Sequence, residues 1–160
     1  MKFLIASDIH GSATWCRKFI DAIHAEKPDK IILLGDILYH GPRNDLPNGY
    51  GPKEVIALLN PLADRILAVR GNCDAEVDQM VLDFPCMADY STILDPEYID
   101  EDAGYEMQTP RTLFLTHGHV FGPDRDGAIG NLPQMPVNTA LLYGHTHVCL
   151  LYTSPSPRDI

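Results

Sequence analysis

"KFLIASDIHG", residues Lys2 to Gly11, is a short apolar run that stops abruptly at Ser7, Asp8 and His10. A run of this kind, closed by polar residues, reads as a buried strand with a polar tip. The pattern recurs. "KIILLGD" (Lys30–Asp36) is a second run ending on Asp36, and "RILAVRGNCD" (Arg65–Asp74) a third, with Asn72 at its tip. Between the first two, Ser12 suits a helix N-cap, Trp15, Phe19, Ala22 and Ile23 recur at helical spacing, and Pro28 marks the stop. Between the second and third lies a loop rich in Gly, Pro and Asn, Ile37 to Gly51. Pro52 then opens a helix carrying Val55, Ile56, Leu58 and Leu59. Strand, helix, strand, helix, strand predicts βαβ crossovers and a largely parallel sheet, an α/β fold.

Beyond Asp74 the pattern changes. Tyr90–Leu94 and Thr112–Thr116 read as strands, separated by an acidic stretch, "DPEYIDEDAGYEMQTP" (Asp95–Pro110), read as a solvated loop. "TALLYGHTHVCLLY" (Thr139–Tyr152) reads as two strands joined by a short turn, so the second half predicts a second sheet. Five apolar runs thus end in possible ligands: Asp8, Asp36, Asn72, His117 and His145. In open α/β sheets, ligand sites gather at the carboxyl ends of strands.

Composition sets the frame. A chain of 160 residues, 45% apolar, predicts one domain able to bury a core. A formal charge of −10 argues against nucleic acid or an anionic membrane as a standing partner. The apolar N-terminal run is too short for a signal peptide or a membrane span. Cys16, Cys73, Cys86 and Cys149 form no CxxC pair and read as reduced thiols, which predicts a cytoplasmic protein. A symmetric homo-oligomer is the general expectation.

Carboxylate, amide and imidazole together suit divalent metals of intermediate hardness, such as Mn²⁺, Fe²⁺ or Zn²⁺. The donors outnumber the needs of one ion. Two ions sharing a carboxylate can clamp both oxygens of an in-line displacement at phosphorus, and they lower the pKa of bound water. Each element alone is weak. Asp-x-His at a strand end is often a helix cap, Gly-Asp a turn, and Asn72 a left-handed turn residue. His-x-His is stronger, because alternate residues of a strand share a face. The reading rests on their conjunction at successive strand ends.

"DIHG", "LLGD", "RGNCD", "LTHGH" and "YGHTH", in this order, resemble the calcineurin-like metallophosphoesterase superfamily, and the likeness runs from Met1 to about Val148. The resemblance implies two packed β-sheets flanked by helices, an αββα sandwich with a dimetal site on one edge. It implies that Asp8, His10 and His147 bind one ion, that Asn72, His117 and His145 bind the other, and that Asp36 bridges them. Asp36 and Asn72 are then the residues expected to share directly in catalysis. The implied activity is hydrolysis of phosphoesters, foremost small phosphodiesters, by a metal-bound hydroxide. The implied cofactors are two divalent ions, Mn²⁺ first, with Zn²⁺, Fe²⁺ or Ni²⁺ as alternatives. The competing readings are a catalytically weak scaffold or interaction module on the same fold, and an inactive truncated fragment. The full ligand set favours the enzyme.

Four further residues are candidates for substrate contact. Cys73 stands where many members of the superfamily carry a histidine that serves the phosphate or the leaving group. It reads more readily as a small filler than as a nucleophile. Arg43 is placed to hold a phosphate oxygen or, equally, to pair with a surface acid such as Asp45. Asn44 adjoins it. His119 is expected at most to orient a ligand. The final departure is the tail. Residues 1–152 are expected to form one domain lacking its last strands. "TSPSPRDI" (Thr153–Ile160), with two Ser-Pro pairs, is expected to be irregular and non-native.

Overall fold

The computed structural model describes residues 1–95, 111–123, 131–136 and 138–147. The acidic stretch after Asp95, the strand expected after the "GHTH" turn and the tail lie outside the described residues. Two three-stranded sheets form the architecture. The first joins β1 (Phe3–Ala6), β2 (Lys30–Leu33) and β3 (Ile66–Ala68), all parallel, in that spatial order. The second joins β4 (Tyr90–Asp95), β5 (Arg111–Thr116) and β6 (Thr139–Leu142). β4 runs antiparallel to β5, and β6 parallel to it.

β2 explains how the layers assemble. As the centre of a parallel sheet it is apolar on both faces, and alternate side chains go opposite ways. Ile31 and Leu33 pack with Cys16 and Ile23 of α1 (Ala13–Glu26) and with Val55 and Leu59 of α2 (Pro52–Leu59). Ile32 and Leu34 point the other way and pack with Val69 and Leu115, flanked by Leu113 and Leu142 of the second sheet. One run of four residues thus welds helix layer to sheet and sheet to sheet. Fully burying each such side chain contributes about 1.5–3 kcal/mol.

The helix boundaries follow the local chemistry. Ser12 caps α1, its Oγ accepting from the Trp15 backbone N–H. Lys27, in left-handed conformation, closes the helix just before Pro28. Pro52 sits in the first turn of α2, where its missing N–H costs nothing. Two elements carry no strong sequence signal: a 3-10 turn at Asn60–Arg65 and the single-turn helix α3 (Glu76–Gln79). The third strand is also shorter than its apolar run; beyond it the Val69 N–H still donates to the Leu33 carbonyl, and the Arg70 N–H turns to the Ala88 carbonyl.

Candidate metal centre

The segments leaving β1 and β2 stay side by side past the ends of the strands. The N–H groups of Asp8, His10 and Gly11 donate to the carbonyls of Gly35, Asp36 and Ile37, at 3.0, 2.8 and 2.8 Å. This ladder holds Asp8 and His10 opposite Asp36. Behind Asp36 lies Asp74, 8% exposed, whose carboxylate accepts from the N–H groups of Asp36, Ile37 and Gly71. Asp74 thereby ties the third tip to the second. A Cβ on Gly71 would lie 2.0 Å from Asp36 Oδ1, so only glycine permits this approach. The Cys73 N–H, in the same turn, donates to Asp36 Oδ1 at 2.7 Å.

The second sheet brings its histidines from the opposite side. His117 follows β5 and is fully buried; its Nδ1–H donates to the Leu34 carbonyl at 2.6 Å. His10 Nδ1–H likewise donates to the Tyr39 carbonyl at 2.8 Å. With Nδ1 engaged, both rings turn Nε2 inward, the orientation metal-ligating histidines take. The 143–147 turn reaches across to β1. The Gly144 N–H donates to the His117 carbonyl, and the His145 N–H to Asp8 Oδ2 at 3.0 Å. A Cβ on Gly144 would lie 1.9 Å from Ser7 Oγ. Five candidate ligands, Asp8, His10, Asp36, His145 and His147, hold positive φ between 51° and 71°. Left-handed backbone at non-glycine residues is disfavoured and collects at functional sites.

The donor atoms converge. Asp8, His10 and His147 present ligand atoms all within 4.8 Å of one another, as do Asp8, Asp36 and His117. A third such group joins His10, Asp36 and Cys73. His10 Nε2 lies 3.1 Å from His147 Nε2, and His117 Nε2 lies 3.1 Å from Asn72 Oδ1. Asp36 Oδ2 stands 3.4 Å from His117 Nε2 and 3.7 Å from His10 Nε2, between the two groups. His145 stands apart from these tight groups. Its ring packs edge-on against His117, centroids 5.1 Å apart.

A cation fits this arrangement on two observations. Asp8 Oδ1 is buried and accepts no hydrogen bond, although three imidazole Nε2 atoms lie within 3.9 Å of it. An uncompensated carboxylate oxygen in such a place is costly without a positive partner. Charge points the same way. Burial pushes the Asp8 carboxyl up, but the close His10 imidazole, the Ser7 hydroxyl bond and the charge of His117 outweigh it and hold the group at about 2. Burial also pushes Asp36 up, and contacts with His117 and the Cys73 N–H bring it below the usual range. His10 is raised chiefly by the nearby Asp8 carboxylate. In His117 burial is outweighed by Asp36, and the result is again a rise. Two ionised carboxylates thus draw positive charge into the cluster, as protons or as metal ions.

The remaining candidates divide. Burial, reinforced by the Asp36 charge, pushes the Cys73 thiol up to about 12, so this sulfur is neither a ready thiolate ligand nor a nucleophile. It fills space beside Gly41. Arg43 and Asn44 line a cavity of about 490 Å³ that opens onto Asp8, His10 and His147. The Asn44 amide donates to the His40 carbonyl in its own loop. His119 packs edge-on against His117, and burial lowers its pKa, with the His117 charge adding to the effect. Asp74 is the residue sequence reasoning passed over. Its signal was its place at the end of "RGNCD", where a carboxylate can collect the free N–H groups of adjoining turns.

The match to known proteins fits this geometry. A family model described as the calcineurin-like phosphoesterase superfamily domain matches residues 1–156. The chain belongs to that superfamily. Among curated calcineurin-like relatives, phosphodiesterase YfcE of Escherichia coli strain K12 is 44% identical over 148 residues, which span 92% of this chain and 70% of the relative. YfcE of E. coli O157:H7 matches equally. A solved structure of Yfce, described as a phosphoesterase from E. coli, superposes with a TM-score of 0.76 at 43% identity, covering 92% of this chain and 70% of that one. The calcineurin-like fold of two small sheets flanked by helices is therefore the fold of this chain.

Proposed function

We propose that this chain is a divalent-metal-dependent phosphodiesterase, with residues 1–152 forming one metallophosphoesterase domain. Asp8, His10 and His147 hold one ion, Asn72, His117 and His145 a second, and Asp36 faces both. The observation that carries the reading is the buried, unpartnered Asp8 Oδ1 with three imidazole Nε2 atoms within 3.9 Å. The name and activity of the E. coli relative support the diester as substrate. Mn²⁺ is the ion the family resemblance puts first; the carboxylate, amide and imidazole donors suit it alongside Fe²⁺ and Zn²⁺.

Divalent cations bound here supply Lewis acidity, activating water and offsetting charge on the phosphate oxygens. The chain's own residues do the rest. Asp8 and Asp36 remain ionised across the neutral range and fix the charge of the site. His10 and His117 are aimed by their bonds to Tyr39 and Leu34. Arg43, on the cavity wall, takes a non-bridging phosphate oxygen. Water adds to phosphorus as one P–O ester bond breaks, giving a phosphomonoester and an alcohol. Leaving-group protonation falls to no evident side chain, because Cys73 occupies the position from which it is often supplied. Esters of acidic alcohols are accordingly the better substrates.

The test is hydrolysis of bis(p-nitrophenyl) phosphate by metal-stripped protein, with and without added Mn²⁺. Activity that appears with the metal and vanishes on chelation is expected. Undiminished turnover in protein shown by elemental analysis to be metal-free overturns the reading.

A further inference from the structure

The cavity beside the metal centre has one wall that the chemistry at phosphorus does not use. It is formed in part by Trp15, which stands in the first turn of α1 and is 58% exposed. A large aromatic side chain left this open on the wall of a polar cavity, next to Asp8, His10 and His147, is an uncovered apolar surface where substrate must enter. Its backbone is fixed, since the Trp15 N–H is held by the Ser12 cap. The Lys18 ammonium sits over one face of its ring, 4.0 Å from the centroid. Arg43 adds positive charge to the lining of the same cavity in an otherwise acidic chain.

We propose that Trp15 is the platform on which an aromatic ester group of the phosphodiester, aryl or nucleobase-bearing, stacks while its phosphate meets the metal centre. The proposal rests on the phosphodiesterase reading and names its substrate class. A diester carries two substituents, and an aromatic one places a flat apolar face against the indole while Arg43 and the cluster take the charged phosphate. Stacking of this kind is insensitive to the identity of the ring, because every aromatic offers a π-face. Aromatic alcohols are also comparatively acidic, which suits a site with no evident proton donor for the leaving group.

The chain contains one tryptophan, so its fluorescence reports this wall alone. Mn²⁺-loaded protein is titrated with diphenyl phosphate, with a dinucleoside monophosphate and with diethyl phosphate. Saturable quenching by diphenyl phosphate and none by diethyl phosphate is expected; the dinucleotide arm separates a nucleobase site from a general aryl site. In kinetics, Trp15→Ala raises KM for bis(p-nitrophenyl) phosphate about tenfold, and Trp15→Phe restores most of the affinity. Hydrolysis by the wild-type protein without an aromatic-specific fluorescence response overturns the platform and leaves the phosphodiesterase reading in place. An aromatic-specific response without hydrolysis does the reverse. An equal response to diethyl and diphenyl phosphate also overturns the platform.

Discussion

Asp36 and His119 are both close to the candidate centre, yet their surroundings assign them different weight. Asp36 is 2% exposed, has left-handed backbone and lies within 3.7 Å of imidazoles on either side. His119 packs its ring against those of His117 and His145, without a carboxylate's charge to offer. Asp36→Asn keeps the shape but removes the charge facing both proposed ions, so kcat/KM should fall by about a hundredfold or more, in line with the loss of a ligand or its partner. His119→Ala should cost less than about tenfold. Parallel kinetics on folded variants at saturating Mn²⁺ checks the order, and equal losses would contradict it. The convergence of these donor residues was legible in the sequence because each follows an apolar run, and strand ends converge by topology. Asp74 was not, because a carboxylate that binds only backbone has no pattern of its own. The isolation of His145 from the tight donor groups was also not legible, since spacing on a turn does not say which way a ring faces.

At the scale of elements, the turn 143–147 is the most constrained connection to the site. It touches the segment just after β1 through Gly144 against Ser7 and through the bond from His145 N–H to Asp8. Gly144→Ala inserts a methyl group where Ser7 Oγ already stands. The turn must move, carrying His145 and His147 with it, while the cores behind β2 keep their contacts. Mn²⁺ affinity should fall at least tenfold with a loss of stability of only about 1 kcal/mol, because overpacking at a surface turn relaxes more easily than in a core. Isothermal titration with Mn²⁺ and urea denaturation on the same variant separate the two. A second element-level expectation concerns α1 and the segment after α3. Burial pushes the thiols of Cys16 and Cys86 up to about 11 from the usual 9.0. A raised folded-state pKa contributes stability that is full below pH 9.0 and is lost as pH climbs toward about 11. Each thiol should cost about 1.4 kcal/mol per pH unit in that window. Denaturation midpoints of the metal-free chain between pH 8 and 11 should therefore fall more steeply than those of the Cys16→Ala/Cys86→Ala variant. The parallel sheet and both long helices were legible from apolar runs and caps. The 3-10 turn and α3 were not, since elements of one or two turns are set by the contacts around them.

Across the whole molecule, the proposed ligands fall into two sets: Asp8, His10, Asp36 and Asn72 from the first sheet, His117, His145 and His147 from the second. An ion bound between them ties the sheets together as well as serving chemistry, and it neutralises part of a formal charge of −10. At a metal concentration of 100 times the dissociation constant, binding adds about 2.7 kcal/mol. For a chain of this size that raises Tm by about 5–10 °C. Calorimetry of chelator-treated protein with and without Mn²⁺ measures it. An unchanged Tm in protein that elemental analysis shows to hold the ion would mean that the unfolded chain binds it as well as the folded one.

The division of the ligands also has a consequence in time. A chain leaves the ribosome from its N-terminus, and 75 residues separate Asn72 from His147. At roughly 5–20 residues per second, the interval between them is about 4–15 s. At the start of that interval the nascent chain carries two carboxylates, an imidazole and an amide of the proposed set, while His117, His145 and His147 have yet to be made. The last of the proposed ligands to be translated is His147, so on this reading the full set exists only once that histidine has been added.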